Sequence, residues 1–246
     1  MPGAGANATS FLAFASRSTG DAHFIGLEAP TLLGHGGGQP TLQEAAARYV
    51  DAIRAVQPEG PYHLIGHSFG GWIALEAARQ LADAGAVVAP VVLVDTDAPR
   101  AEGHGDRGHA LREYIALIAL QSKRPHGLDA DALAALPLHE QALPIFEAMR
   151  RARLLPANAR LNDFVPVLEM FCRQCAIGYR PDAAFDGQVL LLRADDTIDD
   201  SAWRLHAPQL RSVDVPGSDH LSILAPPHVD RVLEIVGRHW YLGRCA

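Results

Sequence analysis

Ser68 lies in the run GHSFG at positions 66–70, with one glycine two residues before it and another two residues after it. The apolar stretch YHLIG leads into this run, and the helix-favouring stretch GWIALEAARQLADAG follows it. A serine in a sharp strand-to-helix turn has its hydroxyl exposed and can act as a nucleophile. The glycines on either side allow the strand and the helix to approach closely enough to form this turn. The N–H of Phe69 is then expected to point at a substrate oxygen. The alternative is an ordinary glycine-rich turn, and the strand–turn–helix context favours the nucleophile.

A serine nucleophile needs a base, and His220 is the best placed of the twelve histidines. It lies in VPGSDHLSIL, just after the last predicted strand and before the closing helix. The chain order serine, acid, histidine is one of the orders in which such triads occur. The alternative for a single histidine is a solvated loop residue, but its position after both the strand and the acid favours the base.

Two places in the sequence can hold the acid that orients this histidine. Asp95 ends the apolar run VVLVD, and Asp195 and Asp196 end the next strand pattern, LLLRADD. A carboxylate at the end of a strand is also common as a simple loop cap. We favour Asp95 because it follows its strand without an intervening residue.

The surrounding pattern alternates strands and helices. The stretch AHFIGLEAP at 22–30 is expected to be a short strand that runs into a loop, and further strands are predicted at YHLIG, VVLVD, GQVLLLRA and LRSVDVPG. The clearest helices are TLQEAAARYVDAIRAVQ, the stretch after Ser68 and PPHVDRVLEIVGRHW. Thr41 and Glu44 have the spacing of a capping box, and Gly85 is placed to end the helix after Ser68. From about 99 to 182 only helix-favouring segments occur. The sequence therefore predicts one α/β domain with a mostly parallel sheet and a helical insertion of roughly eighty residues.

Composition limits the function classes. The chain has 246 residues, of which 48% are hydrophobic, so it can bury one substantial core. Its formal net charge of −7 argues against nucleic acid as the main partner. No apolar run reaches the ~20 residues of a membrane span, and the N-terminus does not resemble a signal peptide. With only three cysteines a disulfide framework is not expected, so a cytoplasmic location is predicted.

Two further patterns have ordinary interpretations. The Cys172–Cys175 pair in FCRQC has no second pair for zinc and no redox-motif context, so it is interpreted as two thiols on a helix. The glycine cluster GHGGG at 34–38 does not have the lysine and serine of a P-loop and is interpreted as a flexible connection. No metal or free cofactor is expected.

Together, PEGPYHLIGHSFGGWIALEAARQL, VVLVDTDAP, LLLRADDT and VPGSDHLSIL resemble the type I thioesterase domains that end nonribosomal peptide synthetases and some polyketide synthases. The resemblance covers nearly the whole chain and implies an α/β-hydrolase fold with a helical lid at about 99–182. It also implies that the acid is Asp95. The family's oxyanion hole implies N–H donors from Phe69 and from an N-terminal proline–glycine loop, which PGAGANATSF matches at Ala4.

The resemblance further implies a reaction. Ser68 attacks an acyl thioester on the phosphopantetheine arm of an acyl or peptidyl carrier protein, and the acyl-enzyme passes to water or to an amine or hydroxyl of the same chain. Arg150, Arg151 and Arg153 cluster in the insertion and either meet an acidic carrier or form a solvated helix face. Two other readings stay open, a stand-alone esterase or lipase-type serine hydrolase acting on small esters and a catalytically inactive, hydrolase-like binding module.

The N-terminus departs from this family. In its members a hydrophobic strand precedes the proline–glycine loop, whereas the numbered chain begins MPGAGA, at the loop itself. We expect that the numbering omits an upstream strand, that the start is misplaced or that the sheet has a vacancy. We also expect extension by about ten residues to raise stability and activity.

Overall fold

The computed structural model of the chain describes residues 1–18, 23–28, 40–101, 106–195 and 198–242. The chain divides into two compact units. One unit combines Met1–Ala101 with Tyr179–Ala246, and the other is Glu102–Gly178. The sequence analysis expected a helical insertion at about 99–182, a range that contains the second unit. Its function as a lid stays a prediction.

The first unit is built on a parallel sheet. Among the described residues four strands pair in the order β1-β2-β3-β4, and every pair is parallel. Their bounds are Ile65–His67 for β1, Val91–Val94 for β2, Val189–Arg193 for β3 and Leu210–Asp214 for β4. The predicted parallel α/β architecture is confirmed, although β1 begins three residues later than the apolar pattern does.

Eight α-helices lie within the described ranges. Their bounds are Leu12–Arg17 for α1, Leu42–Val56 for α2, Phe69–Asp83 for α3, Arg107–Ser122 for α4, Ala130–Ala134 for α5, Leu138–Arg151 for α6, Leu161–Cys175 for α7 and His228–Leu242 for α8. The capping box predicted for α2 is present, since Thr41 Oγ1 accepts from the Glu44 N–H and Glu44 Oε2 accepts from the Thr41 N–H. Gly85 follows the end of α3 with a φ of 78°, a conformation that favours glycine.

The core of this unit lies against the sheet. Every residue of β2 is buried, which matches a strand that is covered on both faces. On one face the alternate residues of β2 and β3 pack with apolar residues of α1, α8 and the segment before α8. This cluster includes Phe14, Val92, Val94, Leu190, Leu192, Val232 and Val236. The elements that carry the predicted site residues are therefore anchored in a single hydrophobic core.

Three indoles donate hydrogen bonds to backbone carbonyls around β2. Trp240 donates to the carbonyl of Pro90, just before the strand, at 2.9 Å. Trp203 donates to Thr96 at 2.8 Å and Trp72 donates to Asp97 at 2.7 Å, just after the strand. The two ends of β2 are therefore held by side chains from other parts of the chain.

The first predicted strand, at 22–30, is wrong over its described part. Residues 23–28 are not assigned to any strand. Phe24 instead packs edge-to-face on Phe14, with a centroid distance of 5.3 Å, while Ile25 is largely exposed. Strand propensity depends on pairing and packing, and the aromatic contact replaces the expected ladder here. The glycine cluster at 34–38 and Cys245 lie outside the described residues.

Within its described part the second unit contains four helices, α4 to α7, and no strand. Helix α4 packs on α5 and α7, and α6 packs on α7. Cys172 and Cys175 are buried free thiols on α7, which confirms the interpretation of FCRQC. Burial raises the pKa of the Cys175 thiol to about 12, and a protonated thiol of this kind is a poor nucleophile.

In the described parts of the chain, no helix combines the length and apolar character needed to cross a lipid bilayer.

Candidate active site

Ser68 lies at the corner between β1 and α3. Its backbone adopts φ 53° and ψ −128°, a conformation that costs a residue with a side chain about 1–3 kcal/mol. The Ser68 side chain makes no capping hydrogen bond to α3, whereas its N–H donates to the Val94 carbonyl at 2.9 Å. The strained corner is thus tied to β2 through the backbone, and the hydroxyl is left out of that anchoring.

The glycines around Ser68 are required by close backbone approach. A Cβ added to Gly66 would lie 2.1 Å from the Gly70 carbonyl oxygen, and one added to Gly70 would lie 2.3 Å from the Met1 carbonyl oxygen. Both distances are far shorter than a carbon–oxygen contact. The spacing of glycines that the sequence showed therefore has a steric cause in the packing of β1, α3 and the N-terminal segment.

The N-terminal loop lies beside the same corner. Met1 lies alongside β1, since its amino group donates to the Ile65 carbonyl at 2.8 Å and its carbonyl accepts from the His67 N–H at 3.1 Å. A Cβ added to Gly3 would lie 3.2 Å from the Ser68 Cβ. Ala4 is the next residue, so the predicted loop is near the serine. The oxyanion role of Ala4 stays a prediction.

Phe69 is the first residue of α3. The first N–H groups of a helix have no carbonyl partner within it, and they form the positive end of the helix dipole. The sequence-predicted N–H donor therefore starts the helix directly after Ser68. Its oxyanion role likewise stays a prediction.

His220 and Asp95 form a close pair. The Nδ1 atom of His220 lies 2.6 Å from Oδ2 of Asp95. The carboxylate is almost fully buried, with 2% of its side chain exposed, while the imidazole is 28% exposed. The other oxygen, Oδ1, accepts from the Ala194 N–H at 2.9 Å. Both oxygens thus have a donor, and an ionised carboxylate with two donors holds the ring in one orientation.

Asp195 binds backbone groups of the turn before His220 and not the His220 ring. Its Oδ2 atom accepts from the Gly217 N–H at 2.7 Å, and its own N–H donates to the Ser218 carbonyl at 3.2 Å. These contacts hold the turn that leads to His220, and the imidazole itself pairs with Asp95. Asp196, the other residue considered at this strand end, lies outside the described residues.

A reciprocal pair of hydrogen bonds also supports His220. Ser222 donates its N–H to Asp219 Oδ1 at 2.8 Å, and Ser222 Oγ accepts from the Asp219 N–H at 2.9 Å. The sequence analysis missed this pair, although the D-x-x-S spacing is the signature of such a turn. His220 is therefore held between two residues that fix its backbone from either side.

His67 is a further site residue that the sequence analysis missed. It is 8% exposed, and its ring stacks on that of His220 with a centroid distance of 4.7 Å and an interplanar angle of 36°. Its Nε2 atom lies 2.9 Å from the carbonyl oxygen of His220. The signal in the sequence is a polar ring placed between Gly66 and Ser68, at the buried end of an apolar strand.

Ser68, His220, Asp95 and His67 are not all joined by direct contacts. Asp95 contacts His220, and His67, the chain neighbour of Ser68, contacts His220 as well. Among the described residues no hydrogen bond joins the Ser68 hydroxyl to the His220 ring. Such bonds are often long in a ligand-free enzyme and tighten only when substrate binds. Within the same described ranges, no three His, Cys, Asp or Glu side chains cluster as a metal site would need.

The stability of the folded chain is expected to fall with acid because of His67. Burial above all, followed by the neighbouring His220, lowers the pKa of His67 to about 3. The unfolded residue has a pKa of about 6.5, so below that pH the unfolded chain binds a proton that the folded chain does not. At pH 5 the resulting loss in the free energy of unfolding is about 2 kcal/mol.

Urea unfolding at pH 7 and pH 5 tests this expectation. The unmodified chain should lose about 2 kcal/mol more between the two pH values than His67→Gln does, because glutamine does not titrate. Other titrating groups are common to both proteins and cancel in the comparison. Equal losses would contradict the buried, neutral state of His67.

The chain is similar in sequence to known proteins. A family model described as "Thioesterase domain" matches residues 1–239. The chain is 29% identical over 192 residues to vanchrobactin synthetase VabF of Vibrio anguillarum, which is 74% of this chain and 7% of that protein. It is 31% identical over 188 residues to a dimodular nonribosomal peptide synthase of Bacillus subtilis (strain 168), which is 71% of this chain and 7% of that protein. The chain therefore spans only a small part of these relatives.

Solved structures agree with the sequence comparisons. A four-domain nonribosomal peptide synthetase, holo-AB3403, superposes with a TM-score of 0.80 at 25% identity, over 96% of this chain and 19% of that one. The Vlm2 thioesterase domain superposes with a TM-score of 0.63 at 25% identity, over 97% of this chain and 91% of that one. The α/β-hydrolase fold predicted from the sequence is confirmed by these matches.

Proposed function

Because the chain belongs to the thioesterase-domain family of peptide and polyketide synthetases, we propose that it releases a peptidyl or polyketidyl chain from a carrier protein. The bond broken is the thioester to the carrier's phosphopantetheine arm, and the intermediate is an acyl group on Ser68. The observation that carries the proposal is the 2.6 Å pair of His220 and buried Asp95 beside the strained, glycine-flanked Ser68.

The pair sets the direction of proton transfer. Ionised Asp95 can only accept hydrogen bonds, so the His220 Nδ1 atom carries the proton and its Nε2 atom is the free base. Nε2 takes the proton of the Ser68 hydroxyl as the oxygen attacks the thioester carbonyl. Asp95 then balances the positive charge of the imidazolium, and Nε2 returns its proton to the departing thiol.

The oxyanion that forms during attack needs donors on the side of the carbonyl oxygen. The N–H of Phe69 begins α3, where the helix dipole favours negative charge. The second donor is the N–H of Ala4 in the loop that lies beside Ser68. Donors fixed by the backbone need no reorganisation as charge develops, which is why such groups are effective.

The fate of the acyl-enzyme decides the product. Attack by water, with His220 as the base, gives a free acid, and attack by an amine or hydroxyl of the acyl chain gives a ring. Both routes use the same five groups, which are Ser68, His220, Asp95 and the N–H groups of Phe69 and Ala4, and neither requires a metal or a free cofactor. The partner is a carrier protein, and the exposed Arg150, Arg151 and Arg153 at the end of α6 are the proposed basic contact for it.

A comparison of matched substrates tests the proposal. The same peptidyl or polyketidyl acyl group is offered as a carrier-bound thioester and as a simple oxygen ester, and the products are identified by mass. The proposal expects higher kcat/KM on the carrier-bound thioester. Preference for the oxygen ester would indicate a small-ester hydrolase instead.

A second measurement separates catalysis from binding. A fluorophosphonate probe is expected to label the chain and to fail on Ser68→Ala, since the probe reacts only with an activated serine. Absence of labelling in the unmodified chain would contradict the proposal and indicate a binding module.

A further inference from the structure

The proposed reaction uses Ser68, His220 and Asp95 but leaves His67 without a role. His67 nevertheless contacts both the ring and the backbone carbonyl of His220. A buried polar side chain with one specific partner needs a physical explanation.

The hydrogen bond fixes the tautomer of His67. A carbonyl oxygen can only accept, so the proton must be on Nε2 of His67, which donates to the His220 carbonyl at 2.9 Å. The Nδ1 atom is then unprotonated, and it faces the backbone at Gly3, where an added Cβ would lie only 3.3 Å away. His67 is thus held as one neutral form between the N-terminal loop and the loop of His220.

A neutral ring is also what the chemistry requires at this place. In the proposed reaction His220 becomes an imidazolium while its ring lies 4.7 Å from that of His67. A second positive charge at this distance would oppose that step, since like charges repel and the repulsion is stronger in a buried site than in water. Burial keeps His67 uncharged, so that the donor is present without the repulsion.

We propose that His67 is a positioning residue for His220, acting through the hydrogen bond from its Nε2–H to the His220 carbonyl. Asp95 orients the imidazole through Nδ1, and His67 fixes the backbone from which that imidazole projects. His67 directly precedes Ser68, so the contact sets the distance between the nucleophile and its base. This inference rests on the proposed function.

Two substitutions separate the hydrogen bond from simple packing. His67→Phe keeps a stacked ring but removes the donor, and His67→Gln removes the ring but places an amide N–H near the original Nε2. We expect His67→Phe to lower kcat by about ten- to a hundredfold with little change in KM, because small misplacements of a catalytic group are costly. His67→Gln is expected to recover most of that loss. His23→Phe, at an exposed histidine, is the matched control and should be unchanged.

The outcomes are distinct. Equal losses in His67→Phe and His67→Gln, or no loss in either, would overturn the proposal in favour of packing alone. Should His67→Phe not fold, imidazole nitrogen NMR of the unmodified chain decides, and a Nδ1–H tautomer or a charged ring for His67 at pH 7 would overturn it. The rate of fluorophosphonate labelling is measured in parallel for the unmodified chain and the His67 variants. Normal labelling of the unmodified chain with no thioester turnover would contradict the proposed function. The labelling rates of the His67 variants would then still test the positioning of His220.

Discussion

Replacing Ser68 or His220 by alanine is expected to lower turnover of a carrier-bound thioester by about a million-fold. Ser68 supplies the atom that is acylated, and His220 supplies the base that takes its proton. The effects of replacing residues that act as one unit are not additive. The double variant is therefore expected to lose no more activity than either single variant. The measurement is kcat/KM on one thioester substrate for the three variants and the unmodified chain.

Matched controls keep this result interpretable. Ser16→Ala and His23→Ala remove the same side chains at exposed positions and should retain full activity. Thermal unfolding of each variant shows whether lost activity reflects lost folding. Activity above a few per cent in Ser68→Ala or His220→Ala, beyond contamination, would remove that residue from the mechanism.

The substitution Asp95→Asn is expected to cost about a thousandfold or more in kcat, with the fold retained. The geometry gives the reason. The backbone N–H of Ala194 requires an acceptor, so the asparagine oxygen faces Ala194 and its NH₂ group faces His220 Nδ1. An N–H donor at Nδ1 stabilises the tautomer that is protonated on Nε2, and that form cannot accept the serine proton.

Asp195→Asn is the matched comparison. Asp195 accepts from the Gly217 N–H, and an asparagine oxygen can accept the same bond. We expect a change of only a few fold, since the turn is kept and the imidazole is not contacted. Asp196→Asn is included with the same expectation. A larger loss in Asp195→Asn than in Asp95→Asn would move the acid to the end of β3.

The elbow and the sheet were predictable because their causes are local. Gly66 is imposed by the backbone of Gly70 within the same turn, and the uninterrupted apolar run of β2 reflects burial on both faces. The preference for Asp95 over Asp195 had a weaker basis, since both end a strand and only tertiary contacts distinguish them. One carboxylate meets the imidazole, and the other meets the turn before it.

The features that the sequence analysis did not predict correctly depend on contacts between distant parts of the chain. The strand predicted around Phe24 depended on a pairing partner that local propensity does not specify, and an aromatic contact with Phe14 occupies that side chain instead. His67 was overlooked because its partner, the carbonyl of His220, lies 153 residues away along the chain. Such long-range contacts form only when the sheet assembles, and the residue spacing around His67 or around His220 does not predict them.

The three tryptophans give the chain an internal optical probe. All of its indoles donate to carbonyls at the ends of β2, two of them within two residues of Asp95. Indole emission responds to hydrogen bonding and to exposure to water. The intrinsic fluorescence of the unlabelled chain therefore reports on the strand that carries the acid, and Trp240→Phe would restrict the signal to the end next to Asp95. Acylation of Ser68 could then be followed by stopped-flow fluorescence of Trp72 and Trp203, which bind the loop after β2.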